Sequence, residues 1–238
     1  MNGTTEINSI VYLSLVSFWQ PPAGDLTAEP SLSYTDPLFR RRISQLSRMT
    51  VEVVHSLFEK APQLDRNTKL VFSSFRGEID QEFKINEQLI EESMIKPASF
   101  SLSVFNTSVA LATIQEHLTG GYSAVYPIEG HFCNALASAC APVISGSEDK
   151  IIFVYGDEYI RDEYRTLDAF KTFGSPNADS AQQGIAASPL AFAVLVSKQP
   201  YDDKSVAYDT ANITSTSSVK LTPQDFLKSA ESPAGDAC

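Results

Sequence analysis

The chain predicts an α/β fold with one buried helix at its centre. Three observations carry this. Segments of strand composition alternate with segments of helical period along the chain. Two runs, Lys150 to Tyr155 and Ala186 to Lys198, are strongly apolar, as strands covered on both faces are. The stretch His131 to Ser145 carries Phe132, Cys133, Leu136, Cys140, Val143 and Ile144, and fills its other side with Ala135, Ala137, Ala139 and Ala141. A helix that is small or apolar all round has no solvent face and belongs between layers.

The elements follow in order. Ile7 to Trp19 reads as an apolar strand, and Gln20 to Asp36 as a loop rich in Pro, Gly and Ser. Ser47 is placed to cap a helix running to Ala61, with Val54, Leu57, Phe58 and Ala61 as its core stripe and Pro62 beyond its end. Thr68 to Phe75 is a second strand, entered from the turn signal Asp65-Arg-Asn. Glu78 to Met94 is an acidic amphipathic helix whose apolar stripe is Ile79, Phe83, Leu89 and Ile90. Pro97 ends that region. Val104 to Leu118 is a further helix closed by Gly120-Gly121.

Tyr122 to Glu129 reads as a strand, Gly130 as a sharp turn, and His131 to Ser145 as the buried helix. Such a strand-turn-helix elbow presents one side chain at a helix N-terminus, where the dipole activates an acyl nucleophile. That side chain is Glu129. Lys150 to Tyr155 then forms a strand, and Asp157 to Gln183 an irregular polar connection in which Asp157-Glu158 and Asp162-Glu163 read as a solvated face. Ala186 to Lys198 is a strand with Ser205 to Asp209 as its hairpin partner. Thr222-Pro223 opens a short final helix. Residues 1–231 read as one domain and 232–238 as a disordered tail.

Composition narrows the function classes. With 238 residues, 43% of them hydrophobic, the chain holds a sizeable core. A net charge of -11 repels phosphate backbones and anionic lipid, so neither nucleic acid nor a membrane surface is an expected partner. No apolar run approaches the roughly 20 residues of a membrane span. With no secretory leader pattern and three cysteines unsuited to a disulfide framework, the expected compartment is the cytoplasm.

The chemistry-bearing residues are few. His55, His117 and His131 lack partners at metal-ligand spacing, so no metal site is expected, and no dinucleotide or phosphate-cradling glycine motif points to a cofactor. Cys133 and Cys140, seven apart, read as small core residues. Arg40-Arg41-Arg42 leaves two readings open, a solubilising patch or an anchor for an anionic group.

The elbow resembles that of thiolase-fold β-ketoacyl synthases. There a strand leads to a nucleophilic Cys in a Thr-Ala-Cys-Ser-Ser context, followed by an Ala-rich helix ending at Ser-Gly and a hydrophobic strand. With Glu129 on the nucleophile, Asn134-Ala135-Leu136 falls on the family's Val-Ala-Leu, Ser145-Gly146 on its Ser-Gly, and Ile151 to Tyr155 on its strand, without a gap. Placing Cys133 there shifts every match by four residues. Phe39 to Met49, Pro97 to Val104 and Tyr155-Gly-Asp-Glu158 further resemble the small β-ketoacyl-synthase-like subunits of aryl polyene clusters. The resemblance covers most of residues 5 to 210.

The resemblance implies the N-terminal half of a thiolase-like fold, an α/β unit with a mixed β-sheet and a buried central helix, with the second half and its two catalytic histidines missing. Decarboxylative Claisen condensation needs a thiolate to hold the acyl chain and histidines to steady the enolate. A carboxylate is well held at a helix N-terminus but gives an unstable mixed anhydride with an acyl group, so Glu129 is a poor carrier. The implied protein is a catalytically dead chain-length factor of type II polyketide or fatty-acid-like synthesis. It forms a heterodimer with a full-length ketosynthase, burying ~800 Å² or more per partner, and meets the acyl carrier protein through that partner. The strand Tyr122 to Pro127 pairs across the dimer axis and the helix Val104 to Leu118 lines the interface. Tunnel or interface candidates are Phe105, Thr107, Ser108, Tyr122, Ala124, Tyr126, Glu129 and Phe132. Two alternatives stand beside this reading: an active condensing or decarboxylating enzyme using Cys133 or Glu129, and a scaffold that only stabilises the ketosynthase.

Overall fold

The computed structural model describes residues 10–127, 132–161, 164, 189–214 and 221–231. In chain order the elements are β1 (Ile10–Trp19), α1 (Pro37–Arg40), α2 (Gln45–Lys60), β2 (Lys69–Ser73), α3 (Ile79–Glu92), α4 (Pro97–Ser101), α5 (Thr107–Gln115), β3 (Tyr122–Val125), α6 (Phe132–Ser145), β4 (Lys150–Asp157), β5 (Leu190–Ser197), β6 (Val206–Asp209), α7 (Ala211–Thr214) and α8 (Pro223–Glu231). The six strands form one mixed sheet in the order β3-β2-β4-β5-β1-β6. β2 runs parallel to β3 and β4, and the pairs β4–β5, β5–β1 and β1–β6 are antiparallel.

The apolar runs are the inner strands, as their composition predicts. Along β4 the side chains alternate: Ile151, Phe153 and Tyr155 face the layer of α6 and α8, while Ile152 and Val154 face α2 and α5. This is a three-layer α/β/α arrangement with a core on each side of the sheet. α8 starts as predicted, with Thr222 Oγ1 accepting from the Asp225 amide at 3.1 Å and Pro223 in the first turn. It drives Phe226, Leu227 and Ala230 into the α6-side core.

Several expectations are corrected. The cap of α2 is Ser44, whose hydroxyl accepts from the Ser47 amide at 2.9 Å. Ser47 lies within the first turn and donates its own hydroxyl to Glu78 Oε1 at 2.5 Å. The helix expected over Val104 to Leu118 is shorter, and His117, with φ 53°, supplies the left-handed residue after it in place of Gly120-Gly121. α3 buries only Ile85 among its residues, leaving Leu89 and Ile90 exposed, and it stops at the left-handed Ser93. β6 pairs with β1 rather than forming a hairpin with β5, because both edges of β5 are already taken by β4 and β1. The Ala-rich helix is not buried all round: Asn134 and Ala141 on its outer side are exposed. Among the described residues nothing covers that outer side.

Among the described residues no helix is long and apolar enough to cross a membrane. The predicted tail 232–238, the turn at Gly130, Asp162-Glu163 and most of the connection up to Gln183 lie outside the described residues, as do the ends of the first strand (residues 7–9) and of the strand from Ala186 (186–188).

Candidate functional site

The elbow is built on an aromatic floor. Phe132, the first residue of α6, is fully buried, and its ring centroid lies 5.9 Å from Phe153, 5.4 Å from Tyr155, 6.3 Å from Phe192 and 5.6 Å from Phe226. The contacts with Tyr155 and Phe192 are edge-to-face and those with Phe153 and Phe226 tilted, and such packing fixes both spacing and angle. The start of α6 is thus pinned to β4, β5 and α8 by one side chain. Glu129, with Gly130 and His131, lies outside the described residues. On the strand side of the elbow, β3 ends at Val125. Tyr126 is half exposed and meets Phe105 edge-on at 5.9 Å, and Phe105 in turn packs on Phe72 at 6.0 Å.

Beside this floor the carboxyl ends of β2 and β4 carry buried acids. Asp157, the last residue of β4, is fully buried. Its Oδ1 accepts from Ser74 Oγ at 2.8 Å and from the amides of Phe75 and Arg76 at 3.1 Å each, while Tyr155 donates its hydroxyl to Oδ2. A carboxylate with this many donors is well held. It fixes the turn Ser74 to Gly77 after β2, and at Gly77, with φ 61°, an added Cβ would stand 2.8 Å from the Phe105 ring. Burial raises the Tyr126 phenol, and the charge of Asp157 raises it further.

Glu158 follows. It accepts from the Leu46 amide at 3.2 Å and from the Asp80 amide at 3.0 Å, so one carboxyl serves the first turns of both α2 and α3. These amides have no partner within their helices, and the two helix dipoles favour an anion there. Burial nonetheless pushes Glu158 well above its ordinary range, with the neighbouring Glu78 adding to the effect. Glu78 is also fully buried, and burial raises it to about 7. Asp157 and Glu158 are therefore not the solvated loop face that their sequence suggests. The apolar run leading into these acids is the one sequence hint of their burial, and the groups that hold them come from distant segments.

The remaining candidates divide. Tyr122, Ala124 and Tyr126 are exposed along the open side of β3, and Tyr122 accepts a hydrogen bond from Asn106 Nδ2 at 2.8 Å. Phe105 is half-buried. Thr107 is buried, with its hydroxyl donated to the Ser101 carbonyl at 3.0 Å, and Ser108 is fully buried. Phe132 belongs to the chain's own core. The structure thus groups Phe105, Tyr122, Ala124 and Tyr126 at the surface and withdraws Thr107, Ser108 and Phe132 from it.

Among the described residues, the thiols and imidazoles are separated. Cys140 is buried, which pushes its thiol up to about 12, and Cys133 is half-buried. His55 lies on α2, across the sheet from α6, with Nδ1 2.8 Å from Glu116 Oε1 and its ring stacked on Tyr34 at 3.7 Å. Neither arrangement makes a thiol–imidazole pair.

A mixed three-layer α/β unit with an elbow helix pinned beneath a parallel edge defines a thiolase-like, ketosynthase-type domain. The model of the family "Beta-ketoacyl synthase, N-terminal domain" matches residues 18–232, and the chain belongs to that family. Its fold is shared by a chain of the complex between the ketosynthase ApeO and its chain length factor ApeC from Xenorhabdus doucetiae. That match has a TM-score of 0.56 and 24% identity, over 72% of this chain and 65% of that one. It is shared also by the ishigamide ketosynthase/chain length factor, with a TM-score of 0.53 and 15% identity over 78% of this chain and 55% of that one. The AntDE:AntF complex, a type II PKS acyl-carrier protein with its ketosynthase bound to the hexaketide, matches with a TM-score of 0.56 and 14% identity over 81% and 64%. The chain therefore spans less than two thirds of the length of these proteins. No curated protein sequence matches it.

Proposed function

We propose that this chain is a non-catalytic subunit of the chain-length-factor type, which pairs with a ketosynthase and shapes the channel in which an acyl or polyene chain grows, in synthesis of the aryl polyene kind. The observation that carries the reading is the ungapped register that puts Glu129, a carboxylate, where the family holds its thiol. That register requires the elbow helix to end at Ser145-Gly146. α6 stops at Ser145, and Gly146 takes φ 75°, the left-handed geometry of a helix stop. A carboxylate there would give an unstable mixed anhydride with an acyl group, so Glu129 is not an acyl carrier.

Among the described residues β3 has no strand on its outer side, and this edge, with the exposed Tyr122, Tyr126 and Ile114, supports the partnership, since an open edge flanked by apolar side chains suits another chain. The bare outer face of α6 supports it further. Phe105 and Tyr126, packed together at the surface beside the elbow, are the side chains placed to set channel depth.

The test is to purify the chain with a co-expressed ketosynthase and incubate it with acyl donors. The expected outcome is acylation of the ketosynthase only, with Phe105→Ala lengthening the product. Acylation of this chain that disappears in Cys133→Ala would overturn the reading. Product lengths indifferent to Phe105→Ala and Tyr126→Ala would favour a scaffold.

A further inference from the structure

A cavity of about 410 Å³ opens at the first turns of α2 and α3, remote from the open side of β3. Its walls come from four separate parts of the chain: the loop at Thr27 and Glu29, the segment leading into α2, the start of α3, and the residues after β4. Five cationic side chains line it, Arg41, Arg42, Arg48, Lys84 and Arg161, against three carboxylates, Glu29, Asp80 and Glu158. On a chain of net charge -11 this is a strong local reversal of sign.

Most of those charges are already used. Arg48 stands 3.1 Å from Glu29 as an ion pair without hydrogen-bond alignment. Lys84 and Arg161 share Asp80 at 2.6 and 2.7 Å. Glu158 is turned inward onto the Leu46 and Asp80 amides, and burial favours its neutral form. Arg40 is structural, donating to the Leu32 carbonyl at 3.0 Å. Arg41 and Arg42 differ from all of these. Both are exposed at the cavity, and although their backbone amides donate to the Phe39 carbonyl, neither guanidinium has a hydrogen bond or ion pair to any described residue. Two guanidinium groups opening on one cavity repel each other, and an anion bound there relieves that repulsion.

We propose that this cavity is a binding site for a small phosphate-bearing anion, with Arg41 and Arg42 as its principal ligands. Guanidinium groups engage phosphate oxygens in bidentate fashion, which lysines do not reproduce. The ion-paired Arg48, Lys84 and Arg161 hold the surrounding potential positive. The concave shape, within the ~300–1,000 Å³ of ordinary ligand sites, favours a small molecule over an extended acidic surface.

Pyrophosphate is the probe, titrated calorimetrically into the full-length chain purified with any co-expressed partner, at constant ionic strength. Saturable binding at one equivalent is expected. The double variant Arg41→Gln/Arg42→Gln should weaken it by about tenfold or more, with Arg41→Lys/Arg42→Lys in between. Because both side chains are exposed and without partners among the described residues, the ligand-free melting temperature should not move. Non-saturable heats, or equal affinity in the Gln variant, would overturn the proposal. Capture of poly-glutamate without any response to pyrophosphate would overturn it too, in favour of a surface for an acidic protein.

Discussion

Tyr155 donates its phenolic hydrogen to Asp157, two residues further along the same strand, so the aromatic layer beneath α6 and the turn after β2 are fastened to one carboxylate. Replacing Asp157 by Ala leaves a serine hydroxyl, two amides and a phenol without their acceptor. The expected loss is roughly 3–5 kcal/mol, against about 1 kcal/mol for Tyr155→Phe, which removes one donor and keeps the ring. Urea denaturation midpoints measure both. Equal losses would show that Asp157 does not hold the turn.

The buried acids predict a pH-dependent stability. Burial is the main cause that lifts Glu78 from 4.5 to about 7, with Asp80 and Glu82 adding to it against hydrogen bonds from Ser44 and Ser47. The unfolded chain releases this proton near 4.5 while the folded chain keeps it until about 7. Between those values the folded state binds more protons, so stability falls as pH rises. Glu158, raised in the same sense, adds to the fall. Glu78→Gln should flatten the profile of melting temperature between about pH 5 and about pH 8. An unchanged slope in that variant would count against the assignment.

The first turn of α2 distinguishes two serines. Ser44→Ala removes the cap and should cost about 1 kcal/mol. Ser47→Ala removes the hydroxyl that Glu78 accepts, and its effect should grow as pH rises and Glu78 ionises. Ser44 also hydrogen-bonds Glu78, so its variant shares that trend on top of a pH-independent cap loss, and thermal melts of both variants across pH measure the two parts. A pH-independent Ser47→Ala effect would contradict the pairing.

Gly120 packs directly on another stretch of backbone. A Cβ there would stand 2.2 Å from the Asn67 carbonyl oxygen, which no side-chain rotation relieves. Gly120→Ala is expected to destabilise by about 3 kcal/mol or to displace the start of β3. Chemical denaturation and amide exchange at Leu70, whose amide bonds to the Gly121 carbonyl at 3.1 Å, report the two outcomes.

What was legible in the sequence followed from period and composition. The apolar run Lys150 to Tyr155 is an inner strand because alternate residues meet different helices. Thr222-Pro223 starts α8 because the cap chemistry is local. The elbow helix was found, but its all-round burial was not, since sequence cannot tell a face covered within the chain from one left bare. Ser44 and Ser47 are both good caps, and only the tertiary demand of Glu78 decides between them. Asp157 and Glu158 read as solvated because charge is the default surface signal. Their burial depends on amides and hydroxyls brought from Leu46, Ser74 and Asp80, which no short window contains. Within the candidate site, only the family resemblance points Tyr122, Ala124 and Tyr126 to an outer strand, while Thr107, Ser108 and Phe132 are held inward by packing that their neighbours in sequence do not specify.

The outer strand β3 is only four residues long, and Pro127, two residues past its end, has no amide hydrogen to continue the ladder. A visiting strand therefore finds little main chain to grip. Any grip must be read through the Tyr122 and Tyr126 rings, which carry shape where backbone carries none. The brevity of that strand makes it a lock with few pins: an arbitrary sticky segment gains little by docking there, and a chain that matches both tyrosines gains most of what the edge can give.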